Sequence, residues 1–351
     1  MAFAGDGTGA IVRNSIDPER DNGPRTLHHP RPSMTTATRA SDERPLLSIV
    51  IVNWNTRDLL LTLLGRLVPS PRTKVEVIVV DNQSSDDSVA AAQRAFPSVI
   101  VLPQPKNGGF AYGVNRGLER ATGEWVMLLN TDAEASWNEL DRFVAAAARC
   151  PDAAVFGPKI VDERGNVQTS AWPAHLPRHA LPEALFLDRF AQHAQPSVAT
   201  DVDVVSGCVF LIRRSVLAKT GGFDERFFMY FEEADFCERV RRAGWRVRWL
   251  PDGSFVHVGG LSAGQAAKRT FLAFRESKLL YHAAWHGRTA TEWVRACLLL
   301  GITIRRVMWC ALALVGKKNR VGLYAAAFAM LVRPGLVGEL CRRPREVPPL
   351  T

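Results

Sequence analysis

Three carboxylates directly follow a cluster of aromatic residues and are the strongest candidates in the sequence for acid–base chemistry. The segment 227–235 reads FFMYFEEAD and contains Glu232, Glu233 and Asp235. Apolar neighbours raise the pKa of a carboxyl group towards the range that suits a general base. Acidic residues in the first turn of a helix also match the helix dipole, so the segment alone leaves a catalytic and a structural interpretation open.

A turn rich in oxygen ligands follows the apolar run 126–129. It contains Asn130 and Asp132, whose side-chain oxygens suit a hard divalent cation such as Mg²⁺ or Mn²⁺ when substrate phosphates complete the coordination. Capping of the next helix by Asp132 is the alternative. His257 lies between two valines and is most economically a core histidine; an additional metal ligand is the other interpretation.

Polar residues after two other strands indicate a nucleotide site. Asp81 follows the apolar run 77–80, and its carboxylate suits a ribose hydroxyl or a base N–H. Capping of the following helix is the weaker alternative, because residues 84–87 already offer capping oxygens. The first strand leads into NWNT at 53–56 rather than into a glycine-rich loop, which disfavours a nicotinamide dinucleotide fold.

A pair of glycines precedes the third predicted helix. The order is Asn107-Gly108-Gly109-Phe110, and the first turns of the helix contain Asn115. Consecutive glycines allow a close approach of the backbone, and a helix N-terminus favours phosphate. We therefore expect a phosphate-bearing ligand at this segment.

Buried strands and helices alternate through the first part of the chain, and they determine where these polar residues lie. Continuous apolar, often β-branched runs predict strands, and apolar residues at helical spacing predict the helices between them. The alternation predicts an α/β fold of parallel β-α units, with ligand groups at the carboxyl ends of the strands. The predicted strands cover residues 46–52, 75–80, 99–102 and 125–129.

The pattern becomes less regular after a predicted helix near residues 137–149. A turn at 162–166 predicts a hairpin of the segments 155–161 and 167–172. The remaining predicted elements are a variable loop at 173–200, a strand at 204–212, a helix at 232–243, and short strands at 245–250 and 255–258.

Composition limits the class of protein. The chain has 351 residues, of which 47% are hydrophobic and 23% charged, so we expect one large globular domain with appendages. Residues 1–45 show no apolar periodicity; they predict a disordered leader that is not a secretory signal. Six cysteines without a C-x-x-C pair suit a reducing compartment, so a cytosolic protein is expected.

The two parts of the chain carry opposite net charge. Residues 1–240 contain 25 basic and 30 acidic side chains, whereas residues 241–351 contain 19 and 5. The predicted helical extension, 261–351, alternates short apolar segments with basic residues, which is typical of helices lying on an anionic membrane. A helical hairpin buried against the sheet is the alternative. The basic residues interleave with apolar runs rather than with a stacking aromatic platform, so we expect no nucleic-acid partner.

The apolar segments of this extension are short. Segments 296–304 and 307–315 are separated by Arg305 and Arg306, and neither reaches the roughly 20 residues that span a bilayer. A single span across both would bury two arginines, which costs several kcal/mol. The sequence therefore predicts interfacial helices rather than a transmembrane helix.

Taken in order, six segments resemble the family-2 inverting glycosyltransferases, and specifically their bacterial rhamnosyltransferase-like branch. The resemblance covers residues 46–260. The matching segments are SIVIVNWN at 48–55, VVDNQSS at 79–85, NGGFAYGVN at 107–115, LLNTDA at 128–133, VSGCVFLIR at 205–213 and GGFDERFFMYFEEADFCERVRRAG at 221–244.

The resemblance implies a GT-A type, Rossmann-like single domain with a mainly parallel central sheet over residues 46–260. It implies a nucleotide-diphosphate sugar as donor, with Mg²⁺ or Mn²⁺ on the diphosphate. Asn53, Asn55 and Asp81 would contact the nucleotide. Asp132, Asn130 and His257 would hold the metal. The residues implied to line the sugar-diphosphate site are Asn107, Gly108, Gly109, Phe110, Asn115 and Asn130.

Glu233 matches the position of the family's catalytic base, with Glu232 and Asp235 as rival candidates. The implied reaction is a single displacement that inverts the anomeric centre. The Gln-x-x-Arg-Trp motif of processive relatives is absent, which implies one sugar per binding event.

The expected donor is dTDP-rhamnose. The expected acceptor is a glycan or polyprenyl-linked molecule of cell-surface polysaccharide synthesis, met at the cytoplasmic face of the membrane. A UDP-hexose or galactofuranose transferase is one alternative, and a non-catalytic sugar-nucleotide-binding membrane subunit is the other.

Overall fold

The computed structural model describes residues 46–68, 74–134, 136–187, 195–259, 267–314 and 320–350. The predicted leader at 1–45 lies outside the described residues, as does part of the predicted loop at 173–200.

Four parallel strands form one half of the central sheet, in the spatial order β3-β2-β1-β4. They are β1 (Leu47–Asn53), β2 (Val75–Asp81), β3 (Ile100–Pro103) and β4 (Trp125–Leu129). β4 is buried along its whole length and β1 along almost all of it, which explains their uninterrupted apolar sequences. The register pairs Asn53 with Asp81, so the carboxyl ends of β1 and β2 meet at one edge of the sheet.

The described residues contain eight further strands. They are β5 (Ala133–Glu134), β6 (Ala153–Val161), β7 (Val167–Gln168), β8 (Ala171–Trp172), β9 (Thr200–Asp201), β10 (Val204–Val205), β11 (Val209–Arg213) and β12 (Arg246–His257). The main sheet runs β3-β2-β1-β4-β11-β6-β12-β5, with β11 antiparallel to both of its neighbours and β12 parallel to β6. The predicted α/β fold with a mainly parallel central sheet is confirmed.

Helices cover both faces of this sheet. They include α1 (Arg57–Leu67), α2 (Ser88–Ala95), α3 (Phe110–Arg120), α4 (Trp137–Ala148), α5 (Ala180–Ala184), α6 (Leu217–Thr220) and α7 (Glu232–Arg242). Because side chains alternate along a strand, Ile49 and Ile51 pack in a core with α1 and α4, whereas Val50 packs in a second core with α3 and α7.

The predicted strand at 204–212 was wrong in one respect. It forms two strands in different sheets: β10 pairs with β8, and β11 lies in the main sheet. Ser206-Gly207-Cys208 interrupts them, and this interruption faces a cavity described below. Apolar residues on both sides of a single glycine do not reveal such a change of sheet.

The two predicted short strands at 245–250 and 255–258 are one strand, β12, with an irregular register between Leu250 and Ser254. Gly253 has φ +85° there, a conformation that glycine adopts without strain. The predicted hairpin is confirmed for β6 and β7, which pair antiparallel across the turn at 162–166. The rest of its second segment, β8, pairs with β10 instead.

The C-terminal part is helical and shares a core with the preceding fold. Its helices are α8 (Ala267–Trp285), α9 (Gly287–Leu314), α10 (Val321–Val332) and α11 (Leu336–Arg342). Leu279, Val294 and Leu331 of these helices pack in one cluster with Ala184 of α5 and Phe231 before α7. The border at residue 260 stays a prediction, but the described extension is not packed as a separate body.

The predicted break at Arg305-Arg306 does not occur, because α9 runs through both apolar segments as one helix of 28 residues. Arg305 donates hydrogen bonds to the carbonyl oxygens of Glu183 and Ala184, so its charge is satisfied by the end of α5. Within the described residues, the segment Gly287–Ala313 is long and apolar enough to cross a membrane, by length and composition.

Candidate active site

A cavity of about 290 Å³ opens at the carboxyl ends of the parallel strands and at the start of α7. It is lined by residues from all six segments that carried the sequence resemblance. The predicted site residues that line it are Asn107, Gly109, Phe110, Asn130, Asp132, Glu232, Glu233 and His257.

Asp132 and His257 come together through strand pairing. His257 at the end of β12 pairs with Ala133 of β5, the residue after Asp132. The imidazole Nε2 therefore lies 3.4 Å from the Asp132 carboxylate Oδ1, and Nδ1 lies 3.3 Å from the side-chain oxygen of Gln168. Asn130 lies in the same turn, fixed by a hydrogen bond of 2.9 Å from its amide to the Cys208 carbonyl.

A carboxylate oxygen and an imidazole nitrogen side by side at a cavity wall are suitable ligands for a divalent cation. No cluster of three or more His, Cys, Asp or Glu side chains placed to hold a metal occurs in the described part of the chain. Asp132 and His257 together therefore fit a cation that takes its remaining ligands from a bound substrate and solvent.

Asp81 is an anchor for its own loop. Its carboxylate accepts hydrogen bonds of 2.8 Å from the Asn53 side-chain amide and from the Ser84 backbone, and only 2% of Asp81 is exposed. Asn55 likewise accepts a bond of 2.7 Å from the Ser85 amide. The lining that the described residues form includes none of these three predicted nucleotide contacts.

The neighbour of Asp81 reaches the cavity instead. Asn82 lines it and donates a hydrogen bond of 2.9 Å to the carbonyl oxygen of Gly109. Its own side-chain oxygen is buried and has no hydrogen-bond partner among the described residues.

The glycine pair is required by close packing. Gly109 has φ +95°, and a Cβ placed there would lie 2.2 Å from the carbonyl oxygen of Phe228. A Cβ on Gly108 would lie 2.4 Å from the Tyr112 ring, although Gly108 is not part of the lining. Asn115 is buried away from the cavity, where its side-chain amide exchanges hydrogen bonds of 2.7 and 2.8 Å with the backbone of Phe223.

The two glutamates at the start of α7 face the cavity in an apolar setting. Burial raises the pKa of the Glu233 carboxyl to about 7. Burial, together with the nearby charge of Glu233, raises the pKa of Glu232 well above its usual range. One oxygen of each carboxyl group, Oε2, has no hydrogen-bond partner in the described residues.

The backbone before these glutamates is strained. Tyr230 and Phe231 have φ +68° and +66°, a region that residues with side chains seldom adopt. Such strain persists only where surrounding packing holds it, and it is concentrated at functional sites.

Asp235, the third predicted candidate for the base, is not part of the cavity lining. It is fully buried and accepts hydrogen bonds of 2.9 Å from Arg239, from the Trp285 indole and from Arg345. With its oxygens engaged by two guanidinium groups and an indole N–H, its carboxylate is a structural partner of the C-terminal region.

A cation and a thiol are among the lining residues that the sequence did not predict. Arg269, at the start of α8, is the only Lys or Arg in the lining formed by described residues, and its guanidinium carbon lies 3.7 Å from the Phe228 ring centroid. Cys208 also lines the cavity, but burial raises its pKa to about 12, so it stays a thiol rather than a thiolate nucleophile. Cys208 lies in the matching segment VSGCVFLIR, which assigned it no role, and Arg269 lies outside all six matching segments.

Comparison with known proteins identifies the class. The family described as "Glycosyl transferase family 2" matches residues 48–221. The chain belongs to this family, as its sequence motifs indicated.

Two relatives indicate the branch. The N-acetylglucosaminyl-diphospho-decaprenol L-rhamnosyltransferase of Mycobacterium tuberculosis (strain H37Rv) is 28% identical over 297 residues, which cover 74% of this chain and 95% of the relative. The rhamnosyltransferase WbbL of Escherichia coli (strain K12) is 38% identical over 58 residues, 16% of this chain and 22% of the relative. These similarities point to the rhamnosyltransferase branch.

The fold also has solved counterparts. The crystal structure of GalNAc-T7 with UDP, GalNAc and Mn²⁺ matches with a TM-score of 0.50 at 16% identity, covering 67% of this chain. The chain spans only 48% of that protein, so this likeness concerns the glycosyltransferase fold alone.

Proposed function

We propose that this protein is an inverting glycosyltransferase that transfers one L-rhamnose from dTDP-rhamnose to a glycan or polyprenyl-linked acceptor in cell-surface polysaccharide synthesis. The observation that carries the proposal is that one cavity is lined both by the Asp132–His257 pair and by Glu233. The rhamnosyltransferase relatives support the sugar. A UDP-hexose or galactofuranose donor is the alternative within the same fold.

Glu233 is the proposed base. With a pKa of about 7, a substantial fraction of its carboxylate is ionised at neutral pH and accepts the proton of the acceptor hydroxyl. The acceptor oxygen then forms a bond to the anomeric carbon while the bond from that carbon to the diphosphate oxygen breaks. The nucleoside diphosphate leaves with the electron pair, and attack from the opposite face inverts the anomeric centre. Glu232, whose pKa is also raised, is the proposed protonated neighbour.

The departing diphosphate needs positive charge. Asp132 and His257, with Asn130 beside them, would hold a Mg²⁺ or Mn²⁺ ion, which supplies Lewis-acid stabilisation of phosphate oxygens when bound. The Mn²⁺ of the GalNAc-T7 structure is consistent with this assignment. Arg269 at the cavity wall adds a permanent cation for the same group.

Attachment to the cytoplasmic face of an anionic membrane belongs to the same proposal. Trp293, Leu300, Val307 and Met308 are exposed apolar residues along α9. The opposite face of α9 packs against α5, α8 and α10, so α9 is not free to be surrounded by lipid on all sides. This supports a peripheral or monotopic arrangement, with the basic C-terminal part facing acidic headgroups.

A donor screen tests the proposal. Purified protein with Mg²⁺ or Mn²⁺ is given dTDP-rhamnose, UDP-hexoses and UDP-galactofuranose together with a polyprenyl-diphosphate-linked sugar acceptor, and nucleoside diphosphate release and product are measured. We expect dTDP release that is abolished by EDTA and by Asp132→Ala. Asp162→Ala, which removes a carboxylate from an exposed turn, is the control. Binding of donor without metal-dependent release would instead identify a non-catalytic subunit.

A further inference from the structure

The last described residues, 343–350, form a strap across the segment that leads into α7. The backbone amides of Gly222 and Glu225 donate hydrogen bonds of 2.9 Å to the carbonyl oxygens of Pro348 and Glu346. Arg226 donates one of 2.6 Å to the carbonyl oxygen of Arg343. We call residues 343–350 the C-terminal strap.

Glycines allow the strap to lie this close. Gly221 has φ +67°, and a Cβ there would lie 2.7 Å from a methyl group of Val347. Leu350 packs against the core that contains Phe236 of α7. The C-terminal strap therefore contacts both the segment before α7 and the core against which α7 packs.

The C-terminal strap also forms an ion pair with a residue of α7 itself. Arg345 donates a hydrogen bond of 2.9 Å to Asp235 Oδ1, and the Trp285 indole donates to the same oxygen at 2.9 Å. Arg239 holds the other oxygen. Asp235 lies in the first turn of α7, one turn after Glu232, so these bonds fix the rotation of the helix about its own axis.

α8 holds the strained residues just before α7. The Ser277 hydroxyl donates a hydrogen bond of 2.9 Å to the carbonyl oxygen of Met229. The Phe231 ring packs against Phe274 and Tyr281, at centroid distances of 5.5 and 5.7 Å. Contacts with α8 thus hold the strained turn at Tyr230 and Phe231, and the C-terminal strap holds Asp235.

We propose that the C-terminal strap positions the acidic pair of α7 for reaction, with Arg345 acting through Asp235 as a positioning residue. The inference rests on the proposed function for its catalytic consequence, but the structural coupling is independent of it. The extension then has a role in the active site itself, beyond any contact with a membrane.

Arg345→Gln in the full chain tests this, with Arg343→Gln as the matched control. The Arg343 side chain lies in the same strap, but its ion pair is with Glu346 at 3.8 Å. We expect Arg345→Gln to lower kcat by between about tenfold and about a hundredfold, the range that a misplaced catalytic group produces. The donor KM should change by less than about twofold, because ground-state binding is untouched.

Hydrogen exchange supplies a readout that needs no substrate. Peptides covering residues 227–236 should exchange faster in Arg345→Gln than in the wild type, and at the wild-type rate in Arg343→Gln. Equal exchange and equal kcat in the two variants would overturn the inference.

If Arg345→Gln does not fold, a second variant tests the inference. Trp285→Phe removes one neutral hydrogen bond to Asp235 and should lower kcat by about fivefold; an unchanged kcat in this variant would also overturn the inference. A wild type that transfers no sugar would refute the proposed function, and the exchange comparison would still decide the positioning.

Discussion

The backbone amide of Phe110 donates a hydrogen bond of 2.8 Å to the carbonyl oxygen of Phe228. Phe110 begins α3 after the glycine pair, and Phe228 precedes the glutamates of α7. The bond therefore joins the loop proposed to contact the donor diphosphate to the segment that carries the proposed base. Displacing one partner displaces the other.

Gly109→Ala tests this coupling. The added methyl group would lie 2.2 Å from the Phe228 carbonyl oxygen, at a φ of +95°. We expect a loss of kcat of about a hundredfold, because the two segments must separate. Gly165→Ala is the control: φ is +82° there, but no atom lies within 4 Å of the added Cβ. An equal loss in both variants would show that backbone strain, rather than the contact with Phe228, is responsible.

The assignment of the base predicts a pH dependence. Because Glu233 has a pKa of about 7, kcat of the wild type should rise with pH and level off above that value. Glu233→Gln should lower kcat by about 10²- to 10⁴-fold. Glu238→Gln, on the same helix outside the cavity, is the control. If Glu232→Gln abolishes the pH dependence and Glu233→Gln does not, the base is Glu232.

The same carboxyl group affects stability. In the unfolded chain a glutamate has a pKa near 4.5, whereas folding raises that of Glu233 to about 7. Between these values the folded state binds more protons, so this contribution to the unfolding free energy falls as pH rises and is lost above about 7. Thermal unfolding should therefore show that the gain in Tm on Glu233→Gln increases from pH 5 to pH 8. A gain independent of pH would contradict the raised pKa.

Buried histidines predict a loss of stability in acid. Burial lowers the pKa of His282 to about 3 and that of His175 to about 4, with the nearby charge of Lys278 contributing at both. The unfolded chain binds these protons near pH 6.5, so stability is complete above that value and declines as pH falls, by up to about 1.4 kcal/mol per pH unit for each histidine. Denaturant unfolding between pH 7.5 and 5 measures the slope. His282→Phe should reduce this slope, and an unchanged slope would contradict the lowered pKa of His282.

The exposed face of α9 predicts membrane binding. Replacing both Leu300 and Val307 by Glu should lower flotation with anionic vesicles by at least about tenfold, since each buried aliphatic side chain contributes roughly 1.5–3 kcal/mol. Val167→Glu alters a valine of similar type, 51% exposed on β7, and is the control. Equal flotation of the variant and the control would refute attachment through α9. If the wild type bound neutral vesicles as well as anionic ones, the proposed contribution of charge would be refuted.

Much of the fold followed from local patterns. β1 and β4 were predictable because strands buried on both faces are continuous apolar runs, and their polar ends placed Asn130 and Asp132 correctly at the edge of the sheet. The resemblance to the family then implied that His257 would hold the metal together with Asp132, a role that spacing alone left open. The observed distance of 3.4 Å depends on the pairing of β5 with β12, and no local pattern encodes that pairing.

The remaining site residues depend on contacts between distant parts of the chain. Asp81 and Asn115 lie in the matching motifs, but neither lines the cavity. Their hydrogen bonds instead hold neighbouring loops in place. Asp235 was indistinguishable from its acidic neighbours until Arg345 and Trp285 were seen to bind it. Arg269 enters the lining only because α8 begins there, a consequence of how the C-terminal helices pack.

The pairing of β5 with β12 also determines when the site is completed during synthesis. β1 to β4 leave the ribosome early and pair mainly with close neighbours in the chain, whereas β12 is the last strand of the sheet. Until β12 has joined β6 and β5, His257 cannot stand beside Asp132. A nascent chain therefore cannot complete the two-ligand site from its first four strands alone.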